Sequence, residues 1–269
     1  MKDKRILYVS SEVVPYLPET EIASTAFNVA KKAHSKGVQT RIFMPRFGVI
    51  NERRHQLHEV IRLSGMNLII NDMDMPLIIK VASIPKERMQ VYFIDNDEYF
   101  KRKAIFSDED DQLFSDNDER AIFFAKGVVE TIKKLNWTPD IIHVHGWIAS
   151  LMPLYLKQYY KDEPLFSKSK VVTSIYENEI TGDLNSGIIN KIKFDEVESD
   201  TLNVLENPTY ENLYKLSIMN SDGVVFASEN IKKSFLDVAM NSKIPVLKCG
   251  FKEGFEKEYM DFYNDKILN

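Results

Sequence analysis

The stretch "RILYVSSEVVPYLPETEIASTAFNVAKKAHSKGVQTRIFMP", residues 5–45, joins two apolar runs through one amphipathic segment. "RILYVSS" is short, apolar and rich in residues that suit a pleated surface, so it reads as a buried strand, and "TRIFMP" reads as the next one. Between them, "IASTAFNVAKKAHSK" sets Ile22, Ala26, Val29, Ala30 and Ala33 along one stripe of a helix, with Gly37 as its stop. Strand, helix and strand in that order make a βαβ unit and predict an α/β fold built on a mostly parallel sheet. The turn into the helix is unusual. Where a flexible, glycine-bearing loop would be ordinary, the chain carries Pro18-Glu19-Thr20-Glu21, which is stiff and acidic.

Outward from this unit the alternation continues. Residues 57–95 lack helical period and read as three extended runs, "VIRLSGMNLII", "MPLIIKVASIP" and "MQVYFID", a β-meander inserted beside the parallel sheet. A polar loop follows, then a long helix over "SDNDERAIFFAKGVVETIKKL", with Ile122, Ala125, Val129 and Ile132 at helical spacing and Ser115 or Asp116 as N-cap. The runs "DIIHVHG", "KVVTSIY", "DGVVFAS" and "IPVLKC" complete about six parallel-type strands, as one Rossmann-like domain requires. Helical stretches begin near Trp147, Tyr210 and Glu229, and a last helix covers residues 254–268. No linker-like segment or repeat interrupts the pattern, so residues 1–269 are expected to form a single domain.

Composition narrows the function classes. The chain has 269 residues, 44% of them hydrophobic, and a net charge of −5 without a clustered basic face, which argues against nucleic-acid and anionic-membrane partners. One cysteine, Cys249, excludes an internal disulfide, and the first apolar run is too short for a secretory signal; the expected compartment is the cytoplasm. Ligands of such folds bind at the carboxyl ends of the strands. That rim would hold Glu12, His143, His145, Tyr176 and Glu177.

His143 and His145 lie two apart on a strand and share a face, with Trp147 just beyond. His34, His55 and His58 show no spacing that converges on them, so neither a metal nor a cofactor is expected. The pair reads either as hydrogen-bonding partners for a sugar, with Trp147 as an apolar platform, or as imidazoles satisfied by neighbouring backbone at a sheet edge. Glu12 is the candidate catalytic residue, orienting or activating a hydroxyl, or else it caps the following turn or pairs with a basic neighbour.

The ordered set "ILYVSSEVVP", "KKAHSKGVQTRIFMPRFG", "VYFIDNDEYFKR", "DNDERAIFFAKGVVE", "PDIIHVHGW" and "ENLYKLSIMNSDGVV" resembles the N-terminal half of bacterial glycogen and starch synthases. The resemblance implies one half of a GT-B fold. It also implies transfer of glucose from ADP-glucose to an α-1,4-glucan, with the N-terminal half holding mainly the acceptor. Within the resemblance, Glu12 keeps the family's Ser-Glu pair, and His143, His145 and Trp147 keep its His-x-His-Asp-Trp, although the aspartate is Gly146. The family's Lys-Thr-Gly-Gly-Leu, whose lysine meets the donor diphosphate, is replaced by Pro18, Glu19, Thr20, Glu21 and Ile22. Its Thr-Val-His-Asn stands as Ser174, Ile175, Tyr176 and Glu177.

After "DGVVFAS" the remaining residues read as one strand and one helix, with Phe255, Tyr259, Phe262 and Ile267 toward the sheet, rather than as a second Rossmann-like domain. The expectation is a glucan-binding or regulatory module without autonomous transfer, for which ADP-glucose is a doubtful ligand. The alternatives are a transferase completed by a separate half, or an interaction protein that has lost both ligands.

Overall fold

A computed structural model describes residues 1–177 and 180–269. In chain order its elements are β1 (Arg5–Ser10), α1 (Glu21–Ser35), β2 (Gln39–Pro45), α2 (Glu52–His55), β3 (His58–Glu59), β4 (Met66–Ile70), β5 (Met73–Ser83), β6 (Gln90–Asp95), α3 (Asp97–Phe100) and α4 (Asn117–Leu135). Then follow β7 (Ile141–His145), α5 (Met152–Lys157), β8 (Lys170–Ile175), α6 (Ile188–Phe194), α7 (Tyr210–Met219), β9 (Gly223–Phe226), α8 (Lys233–Asn241), β10 (Val246–Lys248) and α9 (Phe255–Phe262). The sheet order is β10-β9-β8-β7-β1-β2-β6-β5-β3, with β4 paired to β5. This is an α/β fold with a mostly parallel sheet between helices.

Every neighbouring pair from β10 to β6 is parallel, and the antiparallel ladders are those of β5 with β6, β3 and β4. Strands β4, β5 and β6 form the expected meander of antiparallel neighbours, and its third strand also belongs to the parallel sheet: β6 lies beside β2 with Ile42 opposite Val91. The first run is extended only at Met66–Ile70, because Val60–Ser64 forms a turn closed by Val60 carbonyl bonds. The segment after β8, unassigned in the sequence, forms α6 and a 3₁₀ stretch over Asp200–Glu206.

Local chemistry explains the element ends. Thr20 caps α1 through its hydroxyl, which accepts from the Ala23 N–H, and Gly37 follows the helix at φ +80°. Asp116 stands at the N-cap position of α4 but makes no capping bond with its side chain; its carboxylate pairs instead with Arg102. The turn near Trp147 is a single 3₁₀ turn, Trp147–Ala149, ahead of α5, and the helix expected near Glu229 starts at Lys233.

Successive β1 residues Ile6 to Val9 are all buried, as a strand covered on both faces demands. On one face α1 and α9 lie side by side; α4 packs with α5 and α6. Phe255, Tyr259, Phe262 and Ile267 are each 5% exposed or less. Their approach depends on Gly223 of β9. A Cβ there would stand 2.5 Å from Ile267 Cδ1 and 3.3 Å from the Phe262 ring. Among the described residues no helix is long and apolar enough to cross a membrane.

Candidate functional site

In a βαβ layout each crossover helix begins at the carboxyl ends of the strands, so the first turns of α1, α4, α7 and α8 share the rim where ligands bind. At α1 the rim is occupied by the chain's own groups. Glu12 is 7% exposed, and its carboxylate accepts from the Thr20 hydroxyl, the same hydroxyl that caps the helix at Ala23. Burial raises the Glu12 pKa above its ordinary value, and the Thr20 bond works against that shift. Glu19 accepts from Ser24 at 3.2 Å, and Glu21 accepts from Ser228 at 2.7 Å. Ser228 in turn accepts from the Glu177 N–H at 3.0 Å, which ties the loop to the ends of β8 and β9. A helix N-terminus attracts anions, and here the carboxylates of Glu12, Glu19 and Glu21 already gather round it. Pro18, Glu19 and Thr20 are exposed.

His143 and His145 sit in the middle of the sheet, between β1 and β8, rather than at an edge. Both are fully buried, and their partners are side chains: His143 Nδ1 with the Tyr263 hydroxyl, His143 Nε2 with Ser174 Oγ at 2.8 Å, and His145 Nδ1 with Tyr176 Oη at 2.7 Å. Burial drives both imidazoles toward the neutral form. His145 falls to about 3, and His143 lies well below its ordinary value through burial and then its neighbour His145. His145 Nε2 is buried and has no hydrogen-bond partner among the described residues. What the spacing could not reveal is Tyr263, which lies 120 positions away and closes over His143 from the C-terminal turn.

Trp147 is 1% exposed and wedged edge-on between Phe106, at 5.3 Å, and Tyr210, also at 5.3 Å. No ring face is left open for stacking, and the tryptophan instead supports the start of α7. Gly146 has φ +80°, and a Cβ there would stand 2.1 Å from Ser11 Oγ. The backbone of this turn thus requires glycine, so an aspartate at 146 would need both a new backbone conformation and a displaced Ser11.

One open part of the rim, of ≈ 570 Å³, lies between the end of β6 and the first turn of α4; another is a cleft of ≈ 390 Å³ between the end of β8 and the first turns of α7 and α8. Tyr176 and Glu177 form one wall and Thr209, Asn212 and Lys215 the other. Lys232 and Lys215 both bind Glu211, at 2.7 and 2.9 Å, and this pairing, with Lys232 foremost, pushes the Glu211 pKa down to about 2. One carboxylate thus engages both lysines, and the positive charge left over within the trio is offset by the Glu177 and Asp183 carboxylates that line the same cleft. Glu177 is held by Asn230 at 3.3 Å and faces solvent. Of the residues singled out in the sequence, Tyr176 and Glu177 reach this cleft, and His145 touches it through Tyr176. Thr209, Asn212 and Lys215 escaped notice, although a helix start following a strand end was itself the signal. Among the described residues no cluster of three or more histidine, cysteine, aspartate or glutamate side chains could hold a metal ion.

The family model described as the starch synthase catalytic domain matches residues 5–243. The chain belongs to that family. Its relatives in the starch synthase family include a glycogen synthase of Chlorobium luteolum, 34% identical over 94% of this chain and 50% of that protein. A second, from Chlorobium limicola, is 36% identical over 98% of this chain and 55% of that protein. The chain spans about half the length of the curated relatives it matches. Among solved structures, the catalytic domain of starch synthase IV from Arabidopsis thaliana, bound to ADP and acarbose, superposes with a TM-score of 0.75 at 15% identity, over 92% of this chain and 51% of that one. That likeness shows that the fold is shared, with this chain corresponding to half of a GT-B starch synthase.

Proposed function

We propose that this starch synthase-like domain binds a neutral α-glucan in the cleft between β8, α7 and α8 and does not by itself transfer glucose from ADP-glucose. The observation that carries the reading is the state of the α1 N-terminus. Glu12, Glu19 and Glu21 surround the position where a donor diphosphate would need positive charge, and Pro18 brings no N–H to it. The cleft suits a different ligand. Its lysines are engaged by Glu211, and what remains toward solvent is the carboxylates of Glu177 and Asp183 with amides and hydroxyls, groups that match sugar hydroxyls.

In this reading Glu12 is a positioning residue that fixes Thr20, while His143, His145 and Trp147 hold Tyr176 and the start of α7 in place. Residues 1–269 act as one domain in which β10 and α9 pack on the sheet, and the lone buried cysteine fits a reducing cytoplasm. Calorimetric titration with maltoheptaose tests the cleft. Glu177 is exposed, so Glu177→Ala leaves the fold intact and weakens binding by about 1.5 kcal/mol, roughly tenfold. Equal affinity in the variant would remove the cleft from the account.

A further inference from the structure

A second groove, of ≈ 390 Å³, lies on the flank formed by β4, α4 and the segments following α5 and α6. Among the described residues eight large apolar side chains are strongly exposed, and three of them border this groove: Ile69 at 51%, Phe194 at 50% and Tyr159 at 43%. Such a concentration on one small area marks a recognition surface rather than chance exposure.

The aromatic ring at its centre is fixed. Lys126 Nζ lies 4.9 Å from the Tyr159 centroid, and Tyr160 meets that ring edge-on at 4.7 Å. Lys126 is itself anchored. It donates to the Ile69 carbonyl at 2.7 Å and pairs with Asp195, whose second oxygen accepts from Tyr155 at 2.7 Å. A ring held in this way loses little freedom on binding, which favours stacking. The exposed carboxylate of Glu196 borders the groove and offers acceptors to hydroxyl donors, while Glu130, which also borders it, is already paired with Lys133 at 3.0 Å. Against an anion the same groove is unfavourable, because its one ammonium group, among the described lining residues, already serves Asp195.

We propose that this groove is a second saccharide-binding site, separate from the strand-end cleft, in which Tyr159 and Phe194 stack on the ring faces of a neutral α-glucan and the Glu196 carboxylate accepts its hydroxyls. The choice of an α-glucan among neutral saccharides rests on the reading of the cleft; the stacking site itself does not.

Methyl NMR of the full chain labelled at isoleucine Cδ1 tests it, because Ile69 reports on the groove and Ile180 on the cleft. With maltoheptaose as probe, the Ile69 methyl shifts in a saturable way, and Phe194→Ala weakens that response roughly tenfold while leaving Ile180 unchanged. Phe194→Tyr, which keeps a ring, restores it, and unshifted core isoleucine methyls in both variants report an intact fold. In Glu177→Ala the Ile180 response falls and the Ile69 response persists. A response at Ile180 alone overturns the groove and leaves the cleft standing; a response at Ile69 alone supports the groove and removes the cleft. No response at either site overturns both. An Ile69 shift that follows protein concentration without sugar makes the flank a self-association surface and overturns the proposal.

Discussion

His143 and His145 are neutral, fully buried and held by hydroxyls, and this state has a consequence for stability. Their folded pKa values lie below the unfolded value near 6.5, with His145 at about 3. Above pH 6.5 neither state carries the extra proton and the fold keeps its full stability. As pH falls from 6.5 toward 3, the unfolded chain takes up protons that the buried imidazoles refuse, and stability is lost. Between pH 7 and 5.5 the loss is on the order of 1 kcal/mol per histidine, or about 2 to 3 kcal/mol for the pair. Urea denaturation at the two pH values measures it, and equal midpoints would mean that both imidazoles take up protons in the fold as readily as in the unfolded chain. At this scale the sequence was half legible. The two-residue spacing on a strand correctly placed both side chains on one face, but the hydroxyl above His143 belongs to Tyr263, and no local pattern links the two. Trp147 misleads for a related reason, since its burial depends on Phe106 and Tyr210 arriving from separate segments.

The element that distinguishes this chain is the first turn of α1 with the loop before it. Thr20 joins two needs in one hydroxyl: it caps the helix at Ala23 and donates to the buried Glu12 carboxylate. Thr20→Ala therefore loses a cap and leaves Glu12 short of a donor, at a cost of about 1 to 3 kcal/mol, whereas Thr20→Ser keeps both bonds. Chemical denaturation of the two variants checks the pairing, and an alanine variant as stable as the serine variant would break it. The strand and helix pattern of β1, α1, β2 and α4 was legible because periodicity and stop signals agree there. The parallel pairing of β6 with β2 was not. β6 lies between β2 and β5, and its side chains look the same whether or not a second strand flanks it, so its place in the parallel sheet is settled by the sheet as a whole. The acidic character of the loop could be read directly, while its bond to Ser228, more than 200 positions on, required the fold.

Across the whole molecule, two kinds of surface meet at the carboxyl edge of one parallel sheet. At β1 and α1 the edge is negative and closed by its own hydrogen bonds; at β8 and α7 it is open and polar, with its lysines paired to Glu211. On the function proposed above, the first disfavours a nucleotide sugar and the second takes a neutral glucan. The central claim is that these two ligands, both tied to the family by resemblance, have been separated in this chain. The most direct measurement titrates ADP-glucose into the chain saturated with maltoheptaose, following the heat of binding and the release of ADP. The account predicts no saturable heat and no ADP release. A saturable binding isotherm with ADP released in proportion to glucose added to the glucan would contradict it.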